Sequence, residues 1–277
     1  MNVQTMSLRG RSKGRQAANS SAMDAAARWG FTARGVIYLL IGLLALQIAF
    51  GGGGKQADRG GALAEIGEKP MGSFVLWALG VGLIGMSLWR LSEALFGAAG
   101  PDGHRAGKRL LSAGRFVFYG FVAYSVLSFA AGDTGGSSGD QQSRDITARA
   151  MELPAGRWLV GAAGIAILAA GLWIGVRAAK RSYRKHLKLG QMSRKAKRYI
   201  DVTGVGGGLA RGLLFAAIGW FVVKAAVDYE PDKAKGFDAT LRSFTDTPFG
   251  PWLLVPVALG LVLFGPFSFG MARHRKV

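Results

Sequence analysis

Long apolar runs alternate along this chain with polar, glycine-rich stretches. Six runs cover residues 33–50, 74–89, 116–131, 158–176, 209–227 and 252–271. Each is close to the ~20 residues that carry a helix across a ~30 Å hydrocarbon core, and the shortest, the third, extends back to Gly114 or beyond. A helix on the surface of a soluble protein shows a polar face every turn; these runs do not, and Lys224 is the one charge in their interiors. The pattern predicts an all-α integral membrane protein of six transmembrane helices. The first run follows a basic tail (Arg9, Arg11, Lys13, Arg15) and has no clear small-residue cleavage site, so it reads as a retained span. Three shorter stretches, 62–66, 146–151 and 239–244, precede the even-numbered spans and predict short helices at the surface.

Charge turns the six spans into a topology. The 277-residue chain is 50% apolar and 18% charged, yet carries a net +19. Six crossings put both termini on one side. Residues 1–34, 90–115, 177–211 and 273–277, all on the terminal side, total +21, whereas the hairpin loops 51–72, 131–157 and 228–250 total −3. Because Lys and Arg are retained on the cytoplasmic side, the expectation is cytoplasmic termini and outward loops, with a bacterial plasma membrane as the simplest location.

The spans also repeat. Arg34, Arg115 and Arg211 each open an odd span after a small residue. Four residues on stand Tyr38, Tyr119 and Phe215; eight on, Gly42, Ala123 and Gly219; thirteen on, Gln47, Ser128 and Lys224. The even spans are entered through Pro70/Gly72, Pro154/Gly156 and Pro248/Gly250. Eight residues after that glycine come Gly80, Gly164 and Ala258, and seventeen after it Trp89, Trp173 and Phe267. Three tandem hairpins in one orientation form a parallel repeat, which can close about a pseudo-threefold axis along the membrane normal. Small residues such as Gly171 and Gly175 let helix backbones approach. The segments read as a basic tail 1–28, repeats 29–97 and 98–176, a basic linker 177–203, a third repeat 204–272 and a basic end 273–277.

These features resemble the bacterial domain-of-unknown-function 1206 family. The resemblance is carried by Trp29-Gly-Phe-Thr-Ala-Arg-Gly-Val-Ile-Tyr38, by the aligned Arg115 and Arg211, and by the 80–94 stretch with Trp89-Arg90 and Glu93-Ala94. It covers roughly residues 27–271, with Phe116 standing where the other repeats have Gly and no Trp in the third even span. It implies six spans in three two-span repeats, and no activity.

Candidate chemistry is sparse. Arg34, Arg115 and Arg211 sit where headgroup phosphates lie; they read as interfacial anchors or as an anion- or lipid-binding set. Gln47, Ser128 and Lys224 lie ~20 Å further along the helices, where a polar ring can select a solute or Lys224 can reach out to pair with Asp228. Arg90 and Glu93 are spaced for an ion pair, and residues 177–198 hold ten Lys or Arg and no acid. Within that segment Arg181, Arg184, Lys185 and Lys188 recur at helical spacing, a juxtamembrane cluster suited to anionic headgroups at ~1 kcal/mol per basic residue. The glycine-rich stretch 204–208 has no P-loop context and reads as a flexible linker.

With no Cys, thiol catalysis, disulfides and Cys-ligated zinc are excluded. His104, His186 and His274 all fall in terminal-side connections, and no nucleophile and base converge, so neither an enzyme nor a cofactor nor a metal is expected. The first functional expectation is a structural or interaction protein whose basic face contacts anionic lipid or a cytoplasmic protein. The alternative is an ion or small-solute pathway through the polar layer. Nucleic acid is disfavoured because Tyr183 and Tyr199 make no aromatic platform.

Overall fold

The computed structural model describes residues 21–52, 54–97, 105–133 and 138–275. The basic tail up to residue 20, His104 and the last two residues of the basic end lie outside the described residues. Nine α-helices are found among the described residues: α1 Ser21–Ala49, α2 Arg59–Gly67, α3 Gly72–Phe96, α4 Ala106–Ala130, α5 Gly139–Met151, α6 Gly156–Ala179, α7 Arg194–Asp228, α8 Phe237–Thr245 and α9 Pro251–His274. Six of them (α1, α3, α4, α6, α7 and α9) are long and apolar enough to cross a membrane. The protein is an all-α six-span membrane protein. The short α2, α5 and α8 fall on the three stretches expected to form short helices, one per hairpin loop.

Contacts divide the chain into two compact units. One is drawn from Met1–Arg34, Pro70–Asp133 and Ser268–Val277, the other from Gly35–Lys69 and Thr134–Phe267. Helices α1 and α9 therefore each contribute to both.

Lipid tails are as apolar as leucine, so helices in a bilayer adhere by close packing, and glycines supply it here. In the second unit a Cβ at Gly42 would stand 2.5 Å from the backbone nitrogen of Val262. One at Gly219 would stand 2.7 Å from Leu168 Cα. Counted from the repeat landmarks, these two pairs occupy the same register. Gly164 meets Val223 in the second unit as Gly80 meets Leu127 in the first, again in one register. Gly207 against Phe264 likewise matches Gly30 against Met86. The second repeat has Leu111 at that register position, and Leu111 is 61% exposed.

In the first unit, Arg28 Nη1 donates to the carbonyls of Ala272 and Arg273, and Arg109 donates to those of Ala94 and Leu95. These are register-equivalent arginines binding register-equivalent helix ends, where the last carbonyls lack intrahelical partners. The third repeat has Val205 at that position.

The loop-side helices interlock in the second unit. Nine- and thirteen-residue helices are marginal alone, and their first N–H groups need acceptors. Asp58 caps its own helix through Gly61 N and accepts from Gly139 N of α5. Asp140 of α5 accepts from Ala239 N of α8. Asp238 of α8 accepts from Ala57 N, just before α2, and from Arg242 Nε. Each repeat thus caps the next and the third caps the first, closing a cycle. Burial, with Asp238 and Asp58 nearby, pushes the Asp140 carboxyl above its usual range.

The entrances to the even spans are tight. Met71 and Ala155 adopt left-handed backbone at φ 62° and 60°, a conformation that costs an L-residue about 1–2 kcal/mol. In the third repeat Gly250 takes that role at φ 47° and the helix begins one residue later, at Pro251, a favoured first helical position for proline.

Four sequence expectations are corrected. The 204–208 stretch is not a linker but part of the 35-residue α7, because its glycines are contact surface: Gly204 faces Tyr183 and Phe267, Gly207 the Phe264 backbone and Gly208 Ala178. The linker proposed for 177–203 accordingly ends at Ser193, whose side chain caps α7 through Ala196 N. Arg181, Arg184, Lys185 and Lys188 do not share an α-helix: α6 stops at Ala179, Arg181 is left-handed at φ 50°, and Ser182–His186 is a 3-10 turn. Asp228 does not pair with Lys224; it bonds Lys233 at 2.7 Å, because the chain turns back after Tyr229 and brings Lys233 nearer.

Gly171 and Gly175 separate under this packing. A Cβ at Gly171 would collide with the Ala216 backbone, whereas one at Gly175 meets nothing within 4 Å. Gly219→Ala and Gly171→Ala should each lower thermal stability in detergent by about 1–3 kcal/mol through overpacking, with Gly175→Ala near wild type. Equal melting temperatures for all three would contradict this packing.

Candidate functional site

The densest polar chemistry lies in the first unit, where α1, α3, α4 and the end of α9 contribute arginines. Arg90 is 4% exposed, and its Nη1 meets Glu93 Oε2 at 2.6 Å, the pairing their spacing allowed. Ser112 Oγ of α4 donates to the same carboxylate oxygen at 3.1 Å. Arg34 Nε donates to Ser268 Oγ at 3.2 Å, and its Nη1 reaches the Tyr119 hydroxyl at 3.5 Å.

Two aromatic rings organise these cations. Phe31 and Trp89 lie 5.6 Å apart between centroids. Arg34 lies 4.8 Å and Arg275 5.1 Å from the Phe31 centroid; Arg90 lies 4.0 Å and Arg275 4.7 Å from that of Trp89. A guanidinium over an aromatic face is attracted by the ring quadrupole, by ~2 kcal/mol or more where water is excluded. That attraction lets cations share a dry site, but it does not neutralise them. Burial first, and then the charge of Arg90, push Arg275 down to about 9; Arg34 and Arg115 push the same way and Glu93 opposes them.

The predicted trio is thus split. Arg34 and Arg115 both act on the Arg275 site. Arg211 belongs to the second unit, where it lies 5.1, 5.3 and 5.6 Å from the rings of Phe264, Phe215 and Tyr38, with its Nε buried and without a hydrogen-bond partner. Sequence reasoning missed Arg275 as a site residue and treated Arg90 as a lone ion pair. The available signal was an arginine immediately after Trp89 and another just past the end of the sixth span.

The basic segment forms a second, open site. Arg184 binds Asp201 through one guanidinium edge, Nε donating to Oδ1 at 2.9 Å and Nη2 to Oδ2, while Tyr183 donates its hydroxyl to the same carboxylate. Burial, followed by the negative charge of Asp201, drives the Tyr183 phenol up to about 12. Arg181, Arg198, Asp201, Val202, Val205 and Gly206 line a cleft of about 500 Å³. Arg181 and Lys185 are exposed, and Lys188 is half-buried.

The polar layer has three separate surroundings. Gln47 and Lys224 are exposed, and Ser128 donates to Asp133 at 2.9 Å just past the end of α4. Among the described residues no group of three or more His, Cys, Asp or Glu is placed to hold a metal ion.

Comparison with known proteins follows the repeat boundaries. The family model described as Domain of Unknown Function (DUF1206) matches three times, at residues 29–97, 112–181 and 206–275. The chain is similar to the uncharacterized protein YxxB of Bacillus subtilis (strain 168), 30% identical over 251 residues that cover 89% of this chain and 90% of the relative. No solved structure matches.

The Arg90–Glu93 pair offers a test. Removing one partner of a buried pair strands the other charge, at a cost of about 3–5 kcal/mol. Glu93→Gln should therefore reduce accumulation in the membrane and melting temperature sharply, while Ser112→Ala, which removes one neutral donor, should cost about 1 kcal/mol. Wild-type stability in Glu93→Gln would show that the pair carries no structural weight.

Proposed function

The chain belongs to the DUF1206 family, and we propose that within it this protein is a non-enzymatic multi-pass membrane protein with a structural or interaction role, whose basic face engages anionic lipid headgroups or a cytoplasmic partner. It resides in the bacterial plasma membrane with both termini in the cytoplasm. The observation that carries this reading is the open cleft beside α7, where Arg181 and Arg198 face a space of about 500 Å³. Arg184 is held by Asp201, which fixes the turn that presents Arg181 and Lys185 outward. The charge partition supports the orientation: the basic excess is confined to the terminal side. The transport alternative draws less support, because Gln47 and Lys224 are exposed and Ser128 is engaged by Asp133.

The test uses full-length protein in nanodiscs. The triple variant Arg181→Gln/Lys185→Gln/Lys188→Gln should lose up to ~100-fold in preference for phosphatidylglycerol over phosphatidylcholine, at about 1 kcal/mol per charge at low salt. The preference of the wild type should fall as salt rises. An unchanged lipid preference in the variant would overturn the reading. Because the chain has no cysteine, a single introduced thiol reports orientation. Lys233→Cys should react with an impermeant maleimide in spheroplasts and Lys185→Cys only after lysis; the reverse pattern would invert the topology.

A further inference from the structure

We propose that the cleft beside α7 is a site for one anionic phospholipid per chain, with the phosphate on Arg181 and Arg198, a headgroup hydroxyl on Asp201 and one acyl chain along Val202, Val205 and Gly206. The inference rests on the reading of the basic face given above and narrows it from a charged surface to a single bound lipid. All six lining residues belong to the second unit.

The lining has the polarity of such a molecule. Besides Arg181 it is made by Arg198, Asp201, Val202, Val205 and Gly206. The last four stand three, four, seven and eight residues after Arg198, so all five share one face of α7. At 1.5 Å per residue that face runs about 12 Å from Arg198 to Gly206. Its apolar end adjoins the apolar run that begins at residue 209, and its charged end is remote from it. The face therefore passes from water towards hydrocarbon in the order of a lipid's own parts. The space of about 500 Å³ is within the range of small-ligand pockets and takes a headgroup with the first part of a chain. Val202 is 57% exposed, which leaves apolar surface for that chain to cover.

The charges are not already spent. Arg181 Nη1 stands 3.9 Å from Asp201 Oδ2, too far for a hydrogen bond. Arg198 is exposed, and among the described residues its side chain has no hydrogen-bond or ion-pair partner. Asp201 Oδ1 accepts from Arg184 Nε and the Tyr183 hydroxyl, and Oδ2 accepts from Arg184 Nη2. A carboxylate has about four acceptor positions, so one remains on Oδ2, the oxygen that Arg181 approaches. A glycerol phosphodiester supplies an anion for the two arginines and a hydroxyl for that position. A choline headgroup has no donor to give.

Native mass spectrometry of the full-length protein, released from nanodiscs of phosphatidylglycerol and phosphatidylcholine, reads the lipids that stay bound. Wild type should retain one phosphatidylglycerol per chain. Phosphatidylethanol, with the same charge but no headgroup hydroxyl, should be retained about tenfold less, the loss of one hydrogen bond to a charged group. Arg198→Gln should reduce retention of phosphatidylglycerol by roughly tenfold or more. Val202→Trp, which fills the apolar end and leaves every charge in place, should also reduce it. Lys195→Gln, which removes an equal charge from α7 outside the cleft, should keep the lipid. All three substitutions are at exposed positions, so they leave the helix packing intact. Salt-sensitive enrichment of phosphatidylglycerol in the nanodisc without a retained molecule overturns the cleft site and leaves the basic-face reading standing. Unchanged retention in Val202→Trp, or loss of it in Lys195→Gln, does the same. One retained lipid without that enrichment supports the cleft and overturns the wider reading. Equal retention of phosphatidylglycerol and phosphatidylethanol overturns the role of Asp201.

Discussion

Close backbone approach between helices is the interaction on which this structure depends. In a bilayer there is no water to drive apolar side chains together, so two helices gain over their contacts with lipid only where their backbones come near. Gly42 on Val262, Gly219 on Leu168, Gly164 on Val223 and Gly80 on Leu127 are such places. They fall in two registers, each used twice, so one sequence device serves several helix pairs. Where the device is missing, as at Leu111, the side chain is exposed. The glycines of α7 show how far packing overrides propensity. Four within five residues are poor helix formers, yet their lack of side chains admits Tyr183, Phe267, Leu263, Phe264 and Ala178.

Charge is handled in two ways. In the second unit, carboxylates are matched to backbone N–H groups: Asp58, Asp140 and Asp238 cap helix starts in a cycle, which places negative charge where helix dipoles favour it. In the first unit, positive charge is met by aromatic faces and by helix-end carbonyls: Arg28 and Arg109 bind carbonyls, while Arg34, Arg90 and Arg275 lie over Phe31 and Trp89. The carboxylate scheme supplies nearly all the acceptors its donors need. The guanidinium scheme does not: the Nε groups of Arg90 and Arg275 are buried without an acceptor, as is that of Arg211 in the second unit.

The span count, the three-hairpin repeat, the family and the short loop-side helices were legible in the chain. Each follows from a local pattern: run length set against bilayer thickness, glycine and proline spacing, and a small residue before each of Arg34, Arg115 and Arg211. The Arg90–Glu93 pair was legible for the same reason, since three residues on a helix place side chains on one face. The helical character of 204–208 was not, because a glycine run reads alike whether it is a linker or a contact surface; only the partner helix distinguishes them.

What the sequence by itself determined is therefore the number and order of the spans, both governed by short-range chemistry and by the membrane. What only the tertiary structure decided is which charges meet. Arg275 lies 241 residues from Arg34 and 185 from Arg90, and no periodicity links them; they share a site because α9 returns to the ends of α1 and α3 within the first unit. The same holds for Asp238 and Ala57, joined only when three separate loops interlock. Electrostatic partners are chosen by distance in space, and in a chain of long helices that distance is set by how the helices pack.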